Sequence, residues 1–392
     1  MPSSSNPNSH VPVYSRFQLV LERLLAYAIV ISPPVAGAVT VMLLIRHRGR
    51  LRQLWRESWT LGVFVLLGAL GMISAVLAES QRTAIQGLAG IFVLFIAWLV
   101  GWMAVDHPKR FWRDLQRGIW IVALVTAAWT LRPFTLQFNL GVVTIPIAVP
   151  HDPVAVFGLG ANGLGPLMVF GAVLAFGRLH QSGHAFDRVE AFAIVATALS
   201  AALMIGVRST MFGALAGTLT LMLSTGPAGG LLVLVVILIT AATIYFRPEV
   251  WTSLMDLTSA GQRKKLWASA LRMARDHAWF GVGPFHFVRA NTRYMAGDPD
   301  LPLRLGPHNI YLRMLAEWGI PAAFLLFAWL FSWPLRMWEN RMEIWRWSFV
   351  AGLVAYLVMG IFDDPLFTMH ISASVFAGIG LASSDLARSP KA

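Results

Sequence analysis

The sequence predicts an all-α polytopic membrane protein of about twelve transmembrane helices. Three observations carry that expectation. The 392-residue chain is 57% hydrophobic and only 13% charged, a balance outside the range of soluble domains. Apolar runs of spanning length recur along it, separated by polar connections. Its Lys and Arg residues lie in those connections and not in one basic domain with interleaved aromatics, so the net charge of +12 reads as membrane-flanking charge and implies no nucleic acid partner. Cysteine is absent, which excludes disulfides, thiolate metal sites and a cysteine nucleophile.

In chain order, residues 1–16 form a Ser/Asn/Pro-rich tail, expected to be disordered and cytoplasmic, with no cleavable signal, so insertion uses an uncleaved helix. Residues 17–246 hold the N-terminal group of membrane helices. Within them Phe17 to Ile45 is divided by Pro33-Pro34 and reads as one kinked span or as a helical hairpin, the hairpin being preferred. Further apolar runs occupy 59–78, 84–105, 118–138, 153–176, 189–206, 211–225 and 229–246. A long polar loop, 247–309, follows; then a C-terminal group of helices, 310–384, with runs at 311–335, 347–362 and 366–384, and a cytoplasmic tail, 385–392. When the spans alternate sides, the basic segments Arg46 to Arg56, Lys109 to Arg117, Arg178 to Arg188, Arg336 to Arg346 and Arg388 to Lys391 fall together. The positive-inside rule makes that side the cytoplasm and puts the 247–309 loop outside.

The outer side nevertheless carries arginines that charge bias does not predict: Arg82, Arg132, Arg208, Arg247, Arg263, Arg289, Arg293 and Arg304. Taken together they suggest an anionic ligand, although pairing with lipid phosphate or a carboxylate explains many single cases. Arg208 interrupts an otherwise uncharged apolar stretch, a costly position unless it meets a partner. In the long loop, Leu266, Ala270 and Met273 share a helical face with Trp267, Leu271 and Ala274 beside it, and this amphipathic helix is expected to lie on the bilayer surface. Gly281-Val282-Gly283-Pro284 ends it. Asp298-Pro299-Asp300 has a metal-ligand spacing, yet turn chemistry is the better reading and no metal is assigned. Where the loop re-enters the membrane, Gly306-Pro307 breaks the chain and places His308 in or near a first helical turn, where a neutral imidazole suits a base.

Taken in order, Gly206-Val207-Arg208-Ser209-Thr210, Gly261-Gln262-Arg263 with Leu266-Trp267-Ala268-Ser269-Ala270, Gly281-Val282-Gly283-Pro284, and His308-Asn309-Ile310-Tyr311-Leu312 with Glu317-Trp318-Gly319 resemble the superfamily of bacterial O-antigen ligases, O-antigen polymerases and protein O-oligosaccharyltransferases. The likeness covers Val207 to Pro321; the first half agrees in hydropathy only. Members often carry another His or Ser before the His-Asn pair, where this chain has Gly306-Pro307, so no second histidine role is carried over. The resemblance implies a GT-C-like glycosyltransferase of the bacterial inner membrane with its active site facing the periplasm. Its donor would be a glycan on undecaprenyl diphosphate. For a ligase, the acceptor would be lipid A-core oligosaccharide and the product lipopolysaccharide. By motif, His308 is the catalytic position and Arg208 and Arg263 are the donor diphosphate positions; Asn309, Tyr311, Arg82, Arg289 and Glu317 are supporting candidates.

The chemistry of the residue types agrees with this. Guanidinium groups stabilise charge building on a departing diphosphate through bidentate hydrogen bonds, so neither metal nor cofactor is called for. An attacking hydroxyl is a weak nucleophile helped by a base, and in-line displacement with inversion is the economical route. Glu317 lies four residues after Arg313, a spacing that equally suits a structural ion pair. Asp363-Asp364 is expected to contact acceptor or to end a helix. A polymerase or a protein glycosyltransferase would share the donor motifs. A lipid-linked-sugar transporter would need an internal repeat or a nucleotide loop, and neither is seen.

Overall fold

The computed structural model describes residues 13–32, 59–103, 108–130, 138–139, 144–145, 161–181, 183–205, 207–225, 258–295, 305–339 and 344–388, with scattered positions between 35 and 40 and between 234 and 245. Residues 1–12 of the expected N-terminal tail, the Arg46 to Arg56 segment, most of the 229–246 run, Arg132, Arg247, Arg304 and Asp298-Pro299-Asp300 lie outside the described residues, while 13–16, expected to be disordered, are already helical.

Helices dominate, as the apolar runs require. They are α1 (Val13–Ile31), α2 (Trp59–Leu77), α3 (Gln81–Met103), α4 (Pro108–Thr130), α5 (Ala161–Gln181), α6 (Ala185–Met204), α7 (Arg208–Thr225), α8 (Thr258–Asp276), α9 (Phe287–Tyr294), α10 (Ile310–Glu339), α11 (Ile344–Phe362) and α12 (Met369–Arg388), with a 3₁₀ turn at Pro365–Phe367. One small departure from all-α is a two-residue antiparallel ladder, β1 (Phe138–Asn139) with β2 (Thr144–Ile145). Among the described residues, four helical stretches are long and apolar enough to cross a membrane: Trp59–Leu77, Gln81–Met103, Gly163–His180 and Ile310–Arg336. Two shorter apolar helices, Arg346–Phe362 and Met369–Ser383, accompany them. The chain is therefore a polytopic helical membrane protein. The run expected at 118–138 starts earlier, at Pro108, because a helix propagates through Lys109, Arg110, Arg113 and Arg117 once Pro108 has set its first turn.

The bundle is organised around α5. Its Gly163–His180 window is 89% buried, against 39% for α2 at the periphery. Helices α3 and α12 cross at close range through small residues: a Cβ on Gly101 would sit 1.7 Å from the Ala377 carbonyl oxygen, and one on Gly380 would sit 1.8 Å from that of Trp98. Phe64, Trp98, Trp329 and Phe376 fill the neighbouring interior with tilted and edge-on ring contacts.

At the end opposite the α2–α3 turn, several basic segments meet carboxylates. Arg23 pairs with Asp114 at 3.3 Å, Arg113 with Asp187 at 3.6 Å, and Arg117 with Glu190 at 2.6 Å. Arg178 also joins Glu190. These charges, spread over α1, α4, α5 and α6, tie the helices together, and the Arg178 side chain, 10% exposed, is compensated at a place where burial alone would expel it.

Candidate functional site

The α2–α3 turn, the segment 277–295 and the turn 305–309 occupy the other end. The loop helix α8 buries the face foreseen for it: Leu266, Ala270 and Met273 are at most 1% exposed. That face packs on Phe287 and Met295 and on Ala316 of α10. The expectation of a helix resting on the bilayer surface is corrected here, because an apolar stripe specifies burial without specifying whether lipid or protein provides it.

What docks α8 and α9 is a junction between two of the glycine motifs. Val282 and Gly283 donate backbone N–H groups to the carbonyls of Ala316 and Glu317, at 2.8 and 3.1 Å, and Ile320 donates to Ala278 at 2.7 Å. The α10 ladder is thereby broken at Gly319, whose φ of 80° leaves the helical region. Pro321 then restarts the helix without a missing bond. A Cβ at Gly319 would lie 2.4 Å from the Trp279 carbonyl oxygen, and one at Gly281 (φ +66°) would lie 2.3 Å from the Glu317 carbonyl carbon. Both positions need glycine for closeness as well as for φ. Glu317 is fully buried and accepts N–H groups from Phe285 at 3.0 Å and Phe287 at 3.1 Å, besides pairing with Arg313 at 3.2 Å. The ion pair that the Arg313–Glu317 spacing allowed is formed, and with the two N–H groups it makes Glu317 a clamp on the loop.

The turn before α10 is built on Asn309. Its side-chain oxygen accepts the Leu312 N–H at 3.0 Å, the N-cap geometry, while its amide donates to the Ile361 carbonyl at 2.9 Å and its backbone N–H to Asp364 at 3.0 Å. The helix consequently begins at Ile310, and His308 sits two residues ahead of it, outside the first turn, with φ +49°. A left-handed non-glycine residue costs about 1–2 kcal/mol. It is held by Trp267 of α8, whose indole N–H donates to the Pro307 carbonyl at 2.9 Å. Strain of this kind, imposed from several sides, is typical of side chains aimed for a task.

Around His308 four separate segments converge. Its Nδ1 faces Asp363 Oδ1 at 3.4 Å, with the imidazole 22% exposed and the carboxylate 3%. Asp363 Oδ2 accepts the hydroxyl of Ser209, at 3.3 Å, and Ser209 follows Arg208 at the start of α7. Arg263 of α8 donates to the Phe362 carbonyl at 2.8 Å. Burial lowers the Arg263 pKa from its ordinary value; the charge of Arg208 pushes the same way, and Asp363 and Asp364 oppose it. Burial raises the Asp364 carboxyl, against the pull of Arg313 and His308. The two motif arginines, the histidine and a pair of carboxylates therefore share one electrostatic neighbourhood. A cation at the first position of α7 opposes the helix macrodipole, so Arg208 is not there for the helix.

Other expected site residues fall elsewhere. The Tyr311 hydroxyl donates to the Leu357 carbonyl at 2.9 Å and its ring makes a tilted contact with Phe327, so it braces α10 on α11 and does not orient the imidazole. Asn309 acts on His308 through the backbone turn. Arg289 pairs with Glu79 at 3.2 Å, and Arg82 is exposed on the first turn of α3. Ser209 and the Asp363 pairing had no local signal, because 55 residues separate Asp363 from His308. The one hint was a doubled carboxylate at the end of an apolar span, where charge demands a partner.

A helical bundle with arginines, a histidine and buried carboxylates gathered at one end, under a docked loop helix, defines a polytopic membrane protein with a charged cluster at one end of its bundle. Comparison with known proteins adds a likeness. Residues 193–327 match the family model described as O-antigen ligase. Over 286 residues the chain is 27% identical to an O-antigen ligase of Pseudomonas aeruginosa, a match that covers 69% of this chain and 63% of that relative. The chain thus spans less than two thirds of the curated relative's length. The chain is similar to O-antigen ligases over its central and C-terminal parts.

Proposed function

We propose that the protein is a glycosyltransferase that moves an O-antigen glycan from undecaprenyl diphosphate to a sugar hydroxyl of lipid A-core oligosaccharide, on the periplasmic face of the inner membrane. The observation that carries the reading is the convergence of Arg208, Arg263, His308 and Asp363 from four distant segments. In the reaction, the acceptor hydroxyl oxygen attacks the anomeric carbon and the bond to the diphosphate oxygen breaks on the opposite face, inverting the centre. The electron pair leaves with the diphosphate, whose growing charge Arg208 and Arg263 offset through charge-assisted hydrogen bonds. The hydroxyl proton passes to His308. Its Nδ1 is directed at Asp363, leaving Nε2 for the acceptor, and the carboxylate stabilises the imidazolium that forms. Arginine-based charge neutralisation needs no divalent metal.

The test is to incubate the purified full-length protein with lipid-linked glycan and, in separate reactions, with lipid A-core, with a second lipid-linked glycan and with an acceptor protein. Glycan found on lipid A-core is the expected product. Elongated lipid-linked glycan alone would make the chain a polymerase, and modified protein alone a protein glycosyltransferase. No transfer in any reaction, with donor bound, would refute the catalytic reading.

A further inference from the structure

We infer that the cleft beside Trp279 is a saccharide-binding subsite, separate from the His308 cluster. It is a cavity of about 680 Å³ at the same end of the bundle, lined by the α2–α3 turn, the 276–282 turn and α9. That volume lies within the usual range of roughly 300–1,000 Å³ for small-molecule sites. The inference rests on the glycosyltransferase reading for the origin of its ligand, and on the cleft alone for its chemistry.

Three features point to a sugar. Trp279 lines the cleft and is 73% exposed, against 41% for Trp59 and at most 2% for Trp98, Trp318, Trp329 and Trp333. Its backbone is immobilised, since its carbonyl is wedged against Gly319 and its neighbour Ala278 accepts the Ile320 N–H. An indole face held out on a rigid turn matches the C–H face of a pyranose, and its two rotatable bonds lose little freedom on binding. Opposite it the cleft carries paired polar groups. Tyr294 donates to Asp276 at 3.0 Å and Arg293 pairs with Glu79 at 2.8 Å. These pairs offer acceptors and donors side by side, the pattern that vicinal hydroxyls need. A tryptophan serving only as an interfacial anchor would need neither the cavity nor the polar wall.

The lining of the cleft shares no residue with the His308 cluster, so its ligand is a sugar other than the reacting one. It belongs either to the acceptor core or to the donor glycan. The experiment titrates the full-length protein in detergent with the deacylated acceptor oligosaccharide and, separately, with glycan released from its lipid diphosphate. Affinity is read by calorimetry and ring-proton contact by saturation-transfer NMR. One of the two should bind, Trp279→Ala should weaken it at least tenfold with loss of the saturation transfer, and Phe186→Ala, at an equally exposed ring at the other end of the bundle, should not. The saccharide that responds identifies the source. Trp279 is exposed, so its replacement leaves the fold intact; Trp279→Phe should retain part of the affinity. Equal binding by wild type and Trp279→Ala, equal losses in Trp279→Ala and Phe186→Ala, or no binding of either saccharide would overturn the inference. Transfer activity, measured in parallel, would then still stand or fall independently.

Discussion

Replacing Asp363 by Asn tests the histidine mechanism without disturbing the fold. Asp363 Oδ1 accepts the Asp364 N–H at 2.9 Å, and Oδ2 accepts the Ser209 hydroxyl at 3.3 Å. An asparagine can keep its oxygen on the first and turn its amide to the Ser209 oxygen, so both contacts survive and only the charge is lost. For unit charges 3.4 Å apart, the distance from His308, the Coulomb energy is about 1.2 kcal/mol at the dielectric of water and about 5 kcal/mol at an effective dielectric of 20. The imidazole is 22% exposed and Arg263 offsets part of the carboxylate's field, so about 1.5–3 kcal/mol is the share available to a forming imidazolium. In a single-turnover transfer assay with saturating acceptor this amounts to a rate loss of roughly ten- to hundredfold. Donor affinity should move the other way or stay constant, because an anion beside Arg208 and Arg263 has been removed. A well-folded Asp363→Asn protein with a rate within twofold of wild type would refute the pairing as a catalytic device. A matching loss of donor affinity would assign Asp363 to binding.

Further outcomes follow from the same geometry. Arg208→Ala and Arg263→Ala should weaken donor binding and turnover together, and Arg263→Lys should not restore both, because an ammonium lacks the bidentate fork; a fully active lysine variant would make the site a simple point charge. His308→Ala should lower turnover on the order of a hundredfold or more with donor binding little changed, and near-normal turnover would leave the histidine only a structural part. EDTA should not alter the rate, whereas a loss restored by magnesium or manganese would transfer the arginines' role to a metal. In intact cells, Gly183→Cys should resist an impermeant thiol reagent and Thr292→Cys should react; the reverse pattern would invert the membrane orientation. Gly319→Ala should lower the thermal midpoint, since positive φ alone costs about 1–2 kcal/mol and the added Cβ meets the Trp279 carbonyl oxygen at 2.4 Å; an unchanged midpoint would show that the junction is loose.

The sequence alone determined the class of protein and most helix positions, because the apolar runs are long, lipid and protein interiors both demand them, and Gly and Pro mark their ends. It also marked Arg208, Arg263 and His308, each carried by a short motif, and the Arg313–Glu317 spacing. Tertiary structure decided what those residues meet. Whether the apolar face of α8 rests on lipid or on α9 and α10 depends on what stands opposite, which no helical period encodes. Glu317 becomes a clamp because the chain returns from Gly281 to Phe287 to place N–H groups on it, and Tyr311 turns into the bundle because a Leu357 carbonyl is in reach. Asp363 becomes the partner of His308 only when α11 ends beside the turn that Asn309 caps. Electrostatic pairing acts over a few ångströms in space, and the distance along the chain between its partners carries no trace of it.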